Sequence, residues 1–269
     1  DRLRSRGLGD VYKRQVFLQV LNDALTIGVY PPSWSDTRVS LLPKKGDISD
    51  LRNWRPISLI NTDAKVYTRL LNARLLPAVS NLITPYRTGF MRGRFIADNG
   101  LLMKLIMDHC SHIKSSAVGL LLDQEKAYDR VHPDYLRQVL VRIGIPTVFV
   151  TSICNLFFGT RLRININGFF SSPVSQQRGL RQGDPLSPVL FNLAFEPFLR
   201  SVLQDPLLQG VSLPIVSSPP NILPSVSSSV KLMAYADDVI CLLKDPSDLS
   251  RLLERFDICL LYTSPRPRD

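Results

Sequence analysis

Between two apolar runs, Val230 to Ala234 and Val239 to Leu243, the chain carries Tyr235-Ala236-Asp237-Asp238. Runs of this length read as strands, and so short a polar interruption forces a tight reversal with two carboxylates at its tip. Successive strand side chains face opposite ways, so both aspartates can approach one cation only if the chain turns there. A third acidic group strengthens the pattern. Asp123 ends the run Ala117-Val118-Gly119-Leu120-Leu121-Leu122, whose continuous apolarity predicts a strand buried on both faces. Three carboxylates on neighbouring strand ends repel one another unless divalent cations neutralise them. Hard oxygen donors suit Mg2+, and phosphoryl transfer is the chemistry that most often needs two such ions. Two adjacent aspartates alone more commonly make an ordinary exposed turn, so the weight rests on their combination with Asp123 and with the motifs below.

The 269 residues are 45% hydrophobic, enough for a large core in one domain or two modest ones. No uninterrupted apolar stretch reaches the roughly 20 residues of a membrane helix, and no basic-apolar-small N-terminal signal pattern is present, so the expectation is an intracellular protein of nucleus or cytoplasm with no membrane partner. Cys110, Cys154, Cys241 and Cys259 are widely spaced, which argues against a disulfide framework or a zinc knuckle. His109 and His112 flank Cys110 within a helical pattern and read as a helix face. The formal charge of +10 points to a polyanionic partner. Part of that excess sits at the ends: Arg2, Arg4, Arg6, Lys13 and Arg14 face only Asp1 and Asp10, and Arg266 and Arg268 face only Asp269, leaving +6 for the middle. Residues 1–15 and 262–269 lack apolar periodicity and read as non-native flanks.

Between the flanks, Val16 to Ile27 has helical spacing, and Thr37 to Leu42 reads as a strand stopping at Pro43. Lys44 to Pro56 reads as a polar loop, Asn61 to Leu76 and Ala97 to Ile113 as helices. His132-Pro133 opens a further helix, and Thr160 to Asn167 alternates as a half-buried strand with a basic outer face, turned back by Gly168. Ser187-Pro188 carries the start signature of a long helix to about Leu203. Residues 205–229, rich in proline and serine, predict a flexible surface loop. Without a regular βαβ rhythm or a glycine fingerprint, the fold class is α+β.

In collinear order from Trp34 to Leu243, these features resemble the reverse transcriptase domain of non-LTR retrotransposons. The matching blocks are Leu42-Pro43-Lys44-Lys45-Gly46 with Trp54-Arg55-Pro56-Ile57-Ser58-Leu59; Thr88-Gly89-Phe90 with Arg94 and Asp98-Asn99; Asp123-Gln124-Glu125-Lys126-Ala127-Tyr128-Asp129; Arg178 to Pro188; and Tyr235-Ala236-Asp237-Asp238. The resemblance implies a palm-and-fingers fragment of a right-hand polymerase: an antiparallel palm sheet packed on helices, fingers mainly in 16–114, palm mainly in 115–261, and the thumb outside this chain. It implies RNA-directed DNA polymerase activity, a nucleotidyl transfer from deoxynucleoside triphosphates to a DNA primer on an RNA template. Asp123 and Asp237 then bridge two Mg2+ ions, for which Mn2+ can substitute, with Asp238 an outer ligand. Lys44, or Lys45 in a shifted register, and Arg55 neutralise the triphosphate. Tyr128, where many relatives carry Phe, lies beneath the incoming sugar and rejects a 2′ hydroxyl. Gln182 is a nucleotide-binding residue that with Gly183 begins the segment approaching the templating base pair, and Tyr235 packs near the primer end.

Glu125 and Asp129 match no catalytic position and read as solvated or structural, and Asp184 as a cap near Ser187. Paired lysines such as Lys44 and Lys45 are by themselves most often a plain basic loop; their register with Arg55 sets them apart. Rival readings are an RNA-dependent RNA polymerase, against which Tyr128 argues, a catalytically incompetent nucleic-acid-binding remnant, and a metal-dependent phosphatase, which leaves the fingers and template-side blocks unexplained.

Overall fold

The structure is a computed structural model that describes residues 8–213 and 229–263, with side chains over 11–213 and 229–257. Residues 1–7 and 264–269 of the expected flanks, residues 214–228 of the expected loop and the side chain of Cys259 lie outside the described residues. In chain order the elements are α1 (Leu8–Thr26), β1 (Asp36–Pro43), β2 (Trp54–Leu59), α2 (Thr62–Val79), α3 (Ile96–His112), β3 (Val118–Leu122), α4 (Pro133–Arg142), α5 (Thr147–Phe157), β4 (Arg161–Ile166), β5 (Phe169–Phe170), β6 (Val174–Ser175), α6 (Ser187–Leu203), β7 (Val211–Ser212), β8 (Ser229–Val230), β9 (Leu232–Tyr235), β10 (Asp238–Leu243) and α7 (Asp248–Thr263). They fall into two compact units, both discontinuous in sequence: Asp1–Leu71 with His132–Ser187, and Asn72–Val131 with Pro188–Asp269.

The first unit is built on a mixed sheet in the order β2-β1-β4-β5, with β6 also on β4. β1 pairs antiparallel with β2 and parallel with β4. Val39, on the inner face of β1, is buried, as are Leu136 and Leu140 of α4 and Ile153 and Phe157 of α5. The alternation read from the sequence holds over Arg161 to Ile164 and fails at the end of β4, where Ile166 is exposed and Asn165 half-buried; Arg161 pairs with Asp36 at 2.8 Å, and Arg38 of β1 lies 5.3 Å over the Phe170 ring. Two expectations are corrected. Trp54–Leu59 is a strand, not loop, because Pro56, which has no N–H to give, stands opposite Leu41 at the edge of the sheet. α1 begins at Leu8, ahead of Val16; its described buried residues are Leu21 and Ala24 and residues 11–15 are exposed, so 11–15 lengthen the helix without adding core.

The second unit holds the antiparallel sheet β3-β10-β9 and the small β7-β8 ribbon. Apolar residues of β10 serve both faces. Val239, Cys241 and Leu243 pack with Phe198, Leu199 and Val202 of α6 and Leu252 of α7, whereas Leu242 and the partly buried Ile240 pack with Ile106 of α3. β10 and β9, not β3, are therefore the strands enclosed on both sides. β3 is an edge strand, and Leu121, expected inside, is 76% exposed. Its partners Leu120 and Leu122 are the residues that reach the α6 side. Residues 205–213 are also less free than a surface loop: Asp205, Leu208, Gly210 and Val211 are buried, and β7 pairs with β8. The Asp205 side chain is enclosed and accepts from Arg251 at 3.0 Å and Arg255 at 2.7 Å, which ties the turn after α6 to α7.

Candidate active site

The acidic hairpin forms as its sequence demands. Tyr235 pairs with Asp238, leaving Ala236 and Asp237 as a two-residue turn, and Ala236 adopts φ +54°, the left-handed conformation such turns need at their first central position. A neighbouring segment supports this turn. Tyr86 to Thr88 runs beside β9, with Ala234 N–H bonded to Tyr86 O at 2.9 Å and Thr88 N–H to Ala234 O at 3.0 Å. Gly89 then passes so close that a Cβ there would lie 2.4 Å from Ala236 N. Only glycine permits that approach.

β3 delivers the third carboxylate. The antiparallel register pairs Leu122 with Val239, and one further step sets Asp123 opposite Asp238. Asp123 and Asp238 are exposed and Asp237 is half-buried. The Asp238 carboxyl is pushed above the usual carboxylate range, first by desolvation and then by the negative charges of Asp237 and Asp123. Among the described residues no group of three or more His, Cys, Asp or Glu side chains stands ready to hold a metal ion. The backbone therefore brings the three acids to one sheet end, where the charges of Asp123 and Asp237 act on Asp238. Carboxylate oxygens from adjacent strand ends are nonetheless a donor set fit for a hard divalent cation.

Tyr128 belongs to the same unit. It follows Lys126, which takes φ +53°, and its ring stacks on Phe191 of α6 at 4.6 Å with 12° between planes. Its hydroxyl is pushed up to about 12, first by burial and then by the charge of Asp237. Tyr235 is half-buried and its ring lies 6.3 Å from that of Phe90. Glu125 is exposed and paired with Arg130 at 2.8 Å, away from any ligand role.

The remaining site candidates lie in the first unit. Lys44 and Arg55 are exposed on the β1–β2 hairpin, where Lys44 N–H bonds to Asn53 O at 2.7 Å and Arg55 pairs with Leu42. Gln182 and Gly183 sit against β2: Ser58 N–H donates to Gln182 O at 2.8 Å, and a Cβ on Gly183, at φ +106°, would lie 3.0 Å from Ser58 O. Their loop is anchored from beneath. Buried Arg181 donates to Leu156 O at 2.6 Å and lies over the Phe157 ring, and Asp184 accepts from Leu186 N–H at 2.9 Å. Burial pushes the Asp184 carboxyl up. Reasoning from sequence missed Arg87, Asn192 and Glu196, all buried in the second unit. Their only signal was the presence of polar residues inside otherwise apolar helical or turn patterns.

An antiparallel sheet packed on helices, with acids at its strand ends, has the architecture of the right-hand polymerase fold. The profile of the family described as reverse transcriptase (RNA-dependent DNA polymerase) matches residues 42–262, and the chain belongs to that family. Among curated relatives, the transposon TX1 uncharacterized 149 kDa protein of Xenopus laevis is 35% identical over 250 residues, covering 93% of this chain and 18% of its own length. The Pol polyprotein of the type-2 retrotransposable element R2DM of Drosophila melanogaster is 29% identical over 244 residues, 89% of this chain and 21% of its own. The RNA-directed DNA polymerase from mobile element jockey of the same organism is 27% identical over 184 residues, 66% of this chain and 20% of its own. The chain thus spans about a fifth of these relatives. Of solved structures, telomerase from Candida tropicalis in complex with a TWJ fragment of telomeric RNA superposes with TM-score 0.57 at 12% identity, covering 86% of this chain and 39% of that one. The apo enzyme truncated from its C-terminal domain gives 0.54 at 12% identity, covering 85% and 47%. Among the described residues no helix is long and apolar enough to cross a membrane.

Proposed function

We propose that this chain carries out RNA-templated addition of deoxynucleotides to a DNA primer 3′ end. The observation that carries the proposal is the β3–β10 register, whose last pair, Leu122 with Val239, brings Asp123 to the end of the sheet where its charge acts on Asp238 beside the Ala236-Asp237 turn. Asp123 and Asp237 would hold two Mg2+ ions between them, with Asp238 an outer ligand. When bound, the ions, for which Mn2+ can substitute, supply charge neutralisation and a lowered pKa for the primer hydroxyl. The 3′ oxygen forms its bond to the α-phosphorus as the bond to pyrophosphate breaks.

The chain's own groups do the rest. The exposed cations Lys44 and Arg55 meet the triphosphate, Arg55 by its planar fork and Lys44 as a point charge. Tyr128, held flat by Phe191, supplies the bulk that excludes a 2′ hydroxyl. Gln182 and Gly183 line the template side, and Tyr235 lies by the primer end. The palm role, expected of 115–261, attaches to the compact unit holding the three aspartates; the fingers role, expected of 16–114, attaches to the unit holding Lys44 and Arg55. Both belong to an intracellular protein of nucleus or cytoplasm.

Primer extension on an RNA template with Mg2+ tests this. Deoxynucleotide incorporation that Asp237→Asn lowers at least about a hundredfold, with template binding kept, supports it. Binding without extension favours a catalytically incompetent nucleic-acid-binding role, and preference for ribonucleotides favours an RNA-dependent RNA polymerase.

A further inference from the structure

Arg87 is one of the largest fully buried side chains, with no exposed surface. Both of its hydrogen-bond acceptors are backbone carbonyls: Nη2 donates to Ala236 O at 2.7 Å and Nη1 to Asn192 O at 3.3 Å. The guanidinium lies 5.6 Å over the Phe191 ring and 5.4 Å over Phe195. Burial lowers its pKa to about 10, against the opposing influence of Glu196, Tyr128 and Asp237, so it remains a cation at neutral pH. Taking a cation out of water is costly, and backbone carbonyls repay only part of that cost. A buried charge held this way needs a reason beyond packing.

The reason lies in what it touches. Ala236 is a non-glycine residue at positive φ, a conformation costing on the order of 1 kcal/mol that persists only where surroundings enforce it. Two contacts act on Ala236 directly, and a third holds one of them in place. Gly89 lies against Ala236 N, Asn192 Nδ2 fixes Gly89 O at 2.9 Å, and Arg87 takes the Ala236 carbonyl. The same guanidinium lies over the ring on which Tyr128 stacks.

We propose that Arg87 is the positioning residue of the acidic turn: it pins the Ala236 carbonyl, fixes the direction in which Asp237 leaves the hairpin, and couples that turn through Phe191 to Tyr128. Its activity consequences rest on the polymerase reading, but its effect on the turn does not. The test is hydrogen–deuterium exchange on the full chain with Arg87→Lys and Arg87→Met. Lys keeps the charge but reaches a single acceptor, and Met keeps the bulk alone. Exchange in the peptide spanning Tyr235 to Val239 should quicken about tenfold in Arg87→Met and less in Arg87→Lys, while peptides from α7 change less than about twofold. A turn peptide that exchanges at the wild-type rate in either folded variant, or a uniform rise across the unit, overturns the proposal. In primer extension, Arg87→Met should lower kcat about a hundredfold with KM for primer-template within about twofold, and Arg87→Lys should restore part of kcat. Equal kcat in Met and Lys variants contradicts positioning through the guanidinium. If no variant or wild type extends primer, the polymerase reading fails while the exchange result still decides the role of Arg87.

Discussion

Leu122 of β3 pairs with Val239 of β10, and that one register decides which residues meet at the end of the sheet. A shift by one residue would turn Leu120 and Leu122 away from the α6 side and carry Asp123 past Asp238. The apolar side chains that fix the register and the carboxylates that use it are thus adjacent links in one chain of causes.

The backbone crowding under the turn makes Gly89 a sharp probe. Gly89→Ala should cost about 1–3 kcal/mol in denaturant unfolding, because its Cβ would fall 2.4 Å from Ala236 N and backbone must move to make room. Unchanged stability would show that the hairpin does not rest on this segment.

Asp238 gives a pH-dependent signature. Its folded pKa is raised, so in the absence of divalent cation its ionisation weakens the fold, and the deficit grows as pH rises from the ordinary value of 3.8 through the folded value. Asp238→Asn should therefore have a higher Tm than wild type at pH 7, with the gain fading as pH falls toward the ordinary value of 3.8. Added Mg2+ should raise the Tm of wild type more than that of the variant. Thermal scans at several pH values check both.

Sugar selection should sit at Tyr128. Tyr128→Val takes away one of the two rings stacked on Phe191, leaving Phe195, and removes the bulk assigned to the sugar-facing wall. Ribonucleotide incorporation relative to deoxynucleotide should rise at least about tenfold in single-nucleotide extension. An unaltered ratio would take that role from Tyr128.

Asp205 should anchor α7. Against the opposing effect of burial, the Leu207 N–H and two arginines hold its carboxyl below the usual range, so its stabilisation is present above pH 3.8 and is lost as pH falls through the lower folded value. Asp205→Ala should cost about 3 kcal/mol at pH 7, read by urea unfolding, and less in strong acid.

Much of this was legible in the residues. The start of α6 at Ser187 was legible in a serine before proline, and the Tyr-Ala-Asp-Asp hairpin in apolar runs around a short polar step. What escaped shares a cause: tertiary placement. β3 is as apolar as a central strand, yet its position at the sheet edge leaves Leu121 in solvent. Trp54 to Pro56 read as the end of a polar, turn-rich loop, but at a sheet edge Pro56 needs no N–H and the segment continues as strand to Leu59. Asp205 sat in a stretch whose composition suggested freedom, and only the arrival of Arg251 and Arg255 from α7 explains its burial. Arg87 was hidden because a lone arginine in a turn carries no pattern; its partners are Asn192 and Ala236, distant in sequence.

If Asp123 and the Asp237-Asp238 pair share a divalent cation site, Mn2+ binding to this chain, followed by electron paramagnetic resonance, must depend on both strands. Asp123→Asn and Asp237→Asn should each weaken binding at least about tenfold, despite the many residues between them in sequence. Wild-type affinity in Asp123→Asn, alongside weakened binding in Asp237→Asn, would contradict the shared site.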